Sequence, residues 1–137
     1  MPQKIFGRWS DYESMRDDWF DRQYDYETGK YKPYEYPPEF PTEEEVMFAS
    51  YGGGSYEGDA TLVWNRDGKF YESTGAHCSC YGLEGQFSAE ETTLEALAAK
   101  GKKATDSSYY FLSDHDGEAY IAYWTLVDSL QLQEAEN

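Results

Sequence analysis

Residues 59–74, DATLVWNRDGKFYEST, decide the fold. Two runs rich in β-branched and aromatic residues flank Asp67-Gly68. An Asp-Gly pair between such runs is hairpin-turn chemistry, because both turn residues need positive φ. Residues 59–65 (DATLVWN) and 69–74 (KFYEST) therefore predict two antiparallel strands. Upstream, 46–51 (VMFASY) predicts another, joined through a loop of Gly52 to Gly54 and Ser55. Three such strands make a meander that needs at least one face covered. The glycine run is not a phosphate loop, since no Lys-Ser or Lys-Thr follows and it opens onto a strand.

Downstream lies GAHCSCYGLEGQFSAEETTLEALAAKG, residues 75–101. Gly75 breaks the strand, and Gly82 and Gly85 bracket Leu83 and Glu84, which predicts a compact turn. Ser88 reads as a helix N-cap, with Glu91 completing a capping box. Glu90 and Glu91 suit the positive end of the helix dipole and Lys100 the negative end. Gly101 reads as the stop, and Leu94, Leu97 and Ala98 form one apolar stripe. A helix is expected over 88–100.

Three readings of the cysteines compete. Zinc would draw on His77, Cys78, Cys80 and His115, but Cys-x-Cys falls short of the usual ligand spacing and His77 is adjacent to Cys78. A cysteine nucleophile would need His115 as base and Asp114 or Asp116 to orient it. Plain packing of a tight turn is preferred, because cysteine is among the most often buried residues. A Cys78–Cys80 disulfide would close a strained small ring. Neither metal nor cofactor is expected.

The run HCSCYGLEGQ, with His77, Cys78, Cys80, Tyr81, Gly82 and Gly85, followed by the FSAEETTLEAL segment, resembles a motif of short bacteriophage and prophage proteins. The resemblance covers about residues 59–100. It implies a phage origin and brings no catalytic residue, because that family has no assigned activity.

N-terminal to the strands, 1–9 reads as an extended lead-in and 10–25 as a helix capped by Ser10 with Glu13. At 3.6 residues per turn Tyr12, Met15 and Trp19 share one face. Asp17, Asp21 and Asp25 stack opposite, with Asp18 beside them. Like charges four apart cost such a helix a few tenths of a kcal/mol per pair, so the stripe suits a partner. Its steps of about 6 Å are too sparse to copy duplex DNA, which carries a charge per about 1.7 Å of axis. Residues 26–41 (YETGKYKPYEYPPEFP) predict a polyproline-like arm, because Pro33, Pro37, Pro38 and Pro41 forbid a helix. The arm either wraps its own domain or presents Tyr31, Tyr34 and Tyr36 to a partner. Glu43, Glu44 and Glu45 form an acidic run.

Towards the C-terminus, 107–113 predicts a short strand and 114–118 a turn without calcium-loop spacing. Residues 119–132 fit either a helix, with Tyr120, Tyr123, Trp124, Val127 and Leu130 on one face, or a hairpin strand. Length favours the helix. Residues 133–137 read as a frayed tail.

The chain of 137 residues is expected to form a single domain: an N-terminal helix and arm over 1–45, a core over 46–132, and the tail. The expected fold is α+β, a small antiparallel meander packed by two or three helices. With 11 Lys and Arg against 27 Asp and Glu, the formal net charge is -16. That charge repels nucleic acid and anionic membranes and attracts basic surfaces. No apolar run is long enough to span a bilayer, no signal-peptide core is present, and two unpaired cysteines suit a reducing cytoplasm, here of an infected bacterium. The expected function is non-enzymatic: a phage-encoded inhibitor of a basic, nucleic-acid-binding or defence protein, of anti-CRISPR or anti-restriction type. It would act by charge mimicry of nucleic acid. The alternatives are a phage accessory or structural protein that self-associates as a homodimer through the arm, and a small zinc-binding or cysteine-dependent domain.

Overall fold

The fold was derived from a computed structural model, which describes residues 3–20, 24–53, 57–78, 82–103 and 118–136. The strands are β1 (Ile5–Gly7), β2 (Tyr24–Asp25), β3 (Lys30–Tyr31), β4 (Val46–Gly53), β5 (Glu57–Arg66), β6 (Lys69–Cys78) and β7 (Glu90–Thr92). The helices are α1 (Tyr12–Asp18), α2 (Leu94–Lys103) and α3 (Glu118–Glu136). The fold is α+β. The expected meander forms the centre of a mixed five-stranded sheet of order β1-β4-β5-β6-β7, and β2 and β3 pair as a separate hairpin.

The β5–β6 turn follows from its residues: Asp67 sits at φ 55° and Gly68 at φ 80°. Arg66 pairs with Lys69, and the ladder runs back to Glu57 opposite Cys78. A bulge between Val46 and Phe48 shifts the register of β4 against β5. Two residues apart, those side chains would ordinarily share a face; the bulge sends them to opposite ones.

Both faces of the sheet are buried. Phe48 and Val63 pack under α2 and α3 with Phe6, Leu94, Leu97, Ala119, Tyr123 and Val127. Ala49, Leu62 and Trp64 face an aromatic layer in which Trp9, Met15, Trp19 and Phe40 are buried. The N-terminal residues are thus half of the core.

Several expected boundaries are corrected. The lead-in contributes β1, parallel to β4 with Ile5 opposite Ala49. Gly7 there is at φ +78°, and a Cβ would lie 2.2 Å from the Tyr51 carbonyl oxygen, so only glycine allows that approach. Helix α1 stops at Asp18, and its cap is Asp11 rather than Ser10, with Ser14 rather than Glu13 closing the capping box. Burying both Met15 and Trp19 on the sheet turns the chain away, and Asp25 lies on β2. Hence Asp17 and Asp25 are not on one helix, and Asp21 lies outside the described residues. In the arm, 24–31 folds as a hairpin, while Phe40 and Pro41 are buried.

Helix α2 begins at Leu94, not Ser88. Thr93 caps it, its hydroxyl accepting the Ala96 amide at 3.1 Å. Glu90 to Thr92 instead pair with Glu72 to Phe70, because the edge of β6 offers backbone partners that a longer helix would forgo. Gly101 is inside the helix. Residues 119–132 are helical, and α3 continues to Glu136 through the expected tail. The expected strand 107–113 and residues 114–117 of the expected turn 114–118 lie outside the described residues, while Glu118 begins α3 instead of closing that turn. Among the described residues no helix is long and apolar enough to cross a membrane.

Arg66 straps the aromatic layer to the sheet. It donates to both carboxylate oxygens of Glu45, at 2.9 and 2.8 Å, and to the carbonyls of Pro38 and Phe40. The Arg66 bond and the Thr42 amide, against the opposing effect of burial, hold the Glu45 carboxyl down from 4.5 to about 2. Both folded and unfolded chains carry this carboxylate ionised at neutral pH. On acidification the unfolded chain takes up its proton first, so the stabilisation is present above 4.5 and lost as pH falls through about 2. Glu45→Gln should therefore lower the melting temperature at pH 7, and the gap to the parent should close between pH 4.5 and 2, followed by thermal unfolding.

Candidate interaction surface

Helix α1 places Tyr12 and Arg16 one turn apart, so their side chains meet. The Arg16 guanidinium lies 5.6 Å from the Tyr12 ring centroid and 4.4 Å from that of Tyr36. Tyr34 stacks on Tyr36 with centroids 5.8 Å apart and planes at 13°. Phe20 meets Tyr36 edge-on and ties this ladder to the core through Phe40 and Phe87. Asp17 closes the cluster: its Oδ1 accepts from Arg16 Nε at 3.0 Å and from the Tyr36 hydroxyl. Burial and then this bond push the Tyr36 phenol up to about 12.

The sequence-derived carboxylates divide between two tasks. Asp17 is occupied as described, and Asp18 accepts the indole N–H of Trp9 at 2.8 Å. Asp25 accepts the Glu27 amide, and Glu45 belongs to the Arg66 strap. Glu43 and Glu44 are exposed, and with exposed Glu13 they act on the Tyr12 hydroxyl. That hydroxyl donates to Pro41 O; burial first, then these carboxylates, push it upward against Arg16. Asp18 belongs elsewhere: with Glu84 it raises Tyr51, which burial raises more and which Arg8 opposes. Glu13, Glu43 and Glu44 thus all bear on the Tyr12 hydroxyl, whereas Asp17, Asp18 and Asp25 serve different partners and Asp21 lies outside the described residues.

The tyrosines also divide. Tyr34 and Tyr36 belong to the ladder. Tyr31 is on β3, where it and Tyr26 each meet Tyr24 edge-on at 5.0 Å. Tyr26 is 90% exposed. Glu13 and Tyr12 were missed as surface residues because they were read only as a capping and a core position, and Arg16 was not singled out at all. Their i, i+4 spacing was the available signal.

The backbones of His77 and Cys78 end β6, opposite Gly58 and Glu57. Cys80, Tyr81, Asp114, His115 and Asp116 lie outside the described residues. Gly85 turns at φ +81°, as the two-glycine loop predicts. Gln86 hooks this loop to the sheet. Its amide accepts from Ala76 N at 3.0 Å and donates to Ala76 O at 2.8 Å and Gly82 O at 2.6 Å. A side chain thereby makes the pair of bonds that a neighbouring strand would make. Among the described residues no group of three or more His, Cys, Asp or Glu could hold a metal ion.

No family model matches this chain, and neither a curated protein nor a solved structure was found to match it.

Tyr36→Phe removes the hydroxyl that Asp17 accepts and should destabilise the fold by about 1 kcal/mol at pH 7. The raised phenol favours the folded state below pH 10, so the difference should shrink as pH rises from 10.0 towards about 12, read by urea unfolding.

Proposed function

We propose that this protein is a non-catalytic inhibitor that binds a basic, nucleic-acid-handling protein by offering carboxylates where nucleic acid would offer phosphates. The single observation that supports it most is a formal net charge of -16 on 137 residues. A charge of that size favours encounter with cationic clefts and disfavours nucleic acid itself. The resemblance of about residues 59–100 to phage proteins points to a bacterial host protein as the partner, in the anti-CRISPR or anti-restriction manner.

The geometry narrows the surface. Asp17, Asp18 and Glu45 already serve the fold, so they contribute field rather than contacts. Glu13, Glu43 and Glu44 stand free beside an aromatic ladder, and exposed tyrosines suit the centre of an interface. Lysines or arginines that normally grip phosphates would meet this group. The stripe of aspartates on a long helix plays no part, since α1 ends at Asp18.

Tagged protein should capture a basic nucleic-acid-binding protein from bacterial lysate, identified by mass spectrometry. Added DNA should compete, and affinity should fall at least about tenfold between 50 and 200 mM salt. The triple substitution Glu13→Lys, Glu43→Lys, Glu44→Lys should abolish capture while circular dichroism stays unchanged. Salt-insensitive binding, or full binding by the charge-reversed protein, rejects the mimicry reading. The exposed Tyr24–Tyr26–Tyr31 cluster favours a second reading, self-association as a phage accessory protein. Concentration-dependent dimerisation lost on replacing those tyrosines by serine would support it.

A further inference from the structure

A groove of about 490 Å³ runs between α3 and the edge formed by β1 and β4. Its floor is the stacked pair Phe6 and Phe48, and Met47, Ala122 and Leu126 complete its apolar walls. Gln3, Lys4, Thr125 and Ser129 supply the polar groups. That size, with a mainly apolar lining and a few polar groups, suits small organic ligands, whose pockets span roughly 300–1,000 Å³.

Lys4 gives the groove its chemistry. It is the single charged residue among those lining the groove. Its ammonium donates to the carbonyls of Glu43 and Val46. An ammonium has three N–H donors, so one is left over. In a chain with 27 carboxylate side chains, this half-buried cation is held by carbonyls and by no carboxylate among the described residues. An apolar trough with one lysine among its lining residues is complementary to an amphipathic anion. The opposing field of the whole protein is screened beyond about 8 Å at physiological salt, whereas a contact at the groove is screened much less.

We propose that this groove binds an apolar carboxylate, such as a medium-length fatty acid. The chain lies along Phe6, Phe48 and Leu126, and the carboxylate accepts from Lys4 Nζ. Through the bond from Lys4 to the Glu43 carbonyl the groove adjoins the acidic group, but the proposal does not depend on the function proposed above.

Methionine provides the test, because the chain has 3: Met1, Met15 and Met47. Met47 lines the groove, whereas Met15 is buried in the layer on the other side of the sheet. In protein labelled with ¹³C at the methionine methyls, sodium decanoate should shift the Met47 signal saturably and leave Met15 in place. Ala122→Trp, which fills the groove, should abolish the shift. Lys4→Met should weaken decanoate about tenfold while leaving decanol unaffected, as expected for losing a charge-assisted hydrogen bond. A Met47 signal that does not move, or that moves together with Met15, overturns the proposal. So does decyltrimethylammonium binding the parent protein as tightly as decanoate, a comparison that does not need the Lys4 variant to fold.

Discussion

Leu62 and Val63 are consecutive on β5, point to opposite faces of the sheet, and are both fully buried. A strand with that property cannot lie at a protein surface. Each face must be covered, and apolar surface is worth roughly 25 cal/mol per Å² removed from water, so cover is the main source of stability here. The helical pair α2 and α3 serves one face. The other is served by an aromatic layer drawn from the N-terminal third and the loop after β6, in which Trp19 and Phe40 meet Phe87, and Phe87 stacks on Trp64 of β5. The N-terminal third is therefore committed to the fold before it can serve any partner.

This commitment shapes the acidic surface. Carboxylates close to the aromatic layer are used to hold it: Asp18 for Trp9, Asp17 for Arg16 and Tyr36, Glu45 for Arg66. Asp18 satisfies an indole N–H that would otherwise be buried without an acceptor, and Asp17 and Glu45 pair with half-buried arginines. The carboxylates left for association are those one step further out. Net charge remains a statement about encounter, while the contact surface is set by which side chains the core has released.

The sheet edges carry a related economy. β1 and β7 are each three residues long, and Gln86 covers β6 beyond the end of β7 with a side-chain amide. Short edges and side-chain cover hinder pairing with another chain. The same shortness of β1 leaves Met47 and Phe48 beside α3 rather than under a further strand, and the groove follows from that.

The sequence by itself determined the meander, the Asp67-Gly68 turn, the Gly82–Gly85 loop and the helical character of 119–132. These depend on local periodicity and on backbone angles that particular residues demand, which a chain expresses wherever it lies. Only the tertiary structure decided where α1 and α2 end, which carboxylates are free, and that 5–7 joins the sheet. The Ser88 cap was a sound local signal, yet β6 needed an edge partner; Ser10 lost to the neighbouring Asp11 cap, and α1 stopped early because Trp19 needed the core. Burial of a large side chain, or pairing along an open strand, outweighs the roughly 1 kcal/mol that one cap contributes. The acidic group was illegible for the same reason: Glu13 lies 30 residues from Glu43, and only the folding of the arm across α1 brings them to one tyrosine.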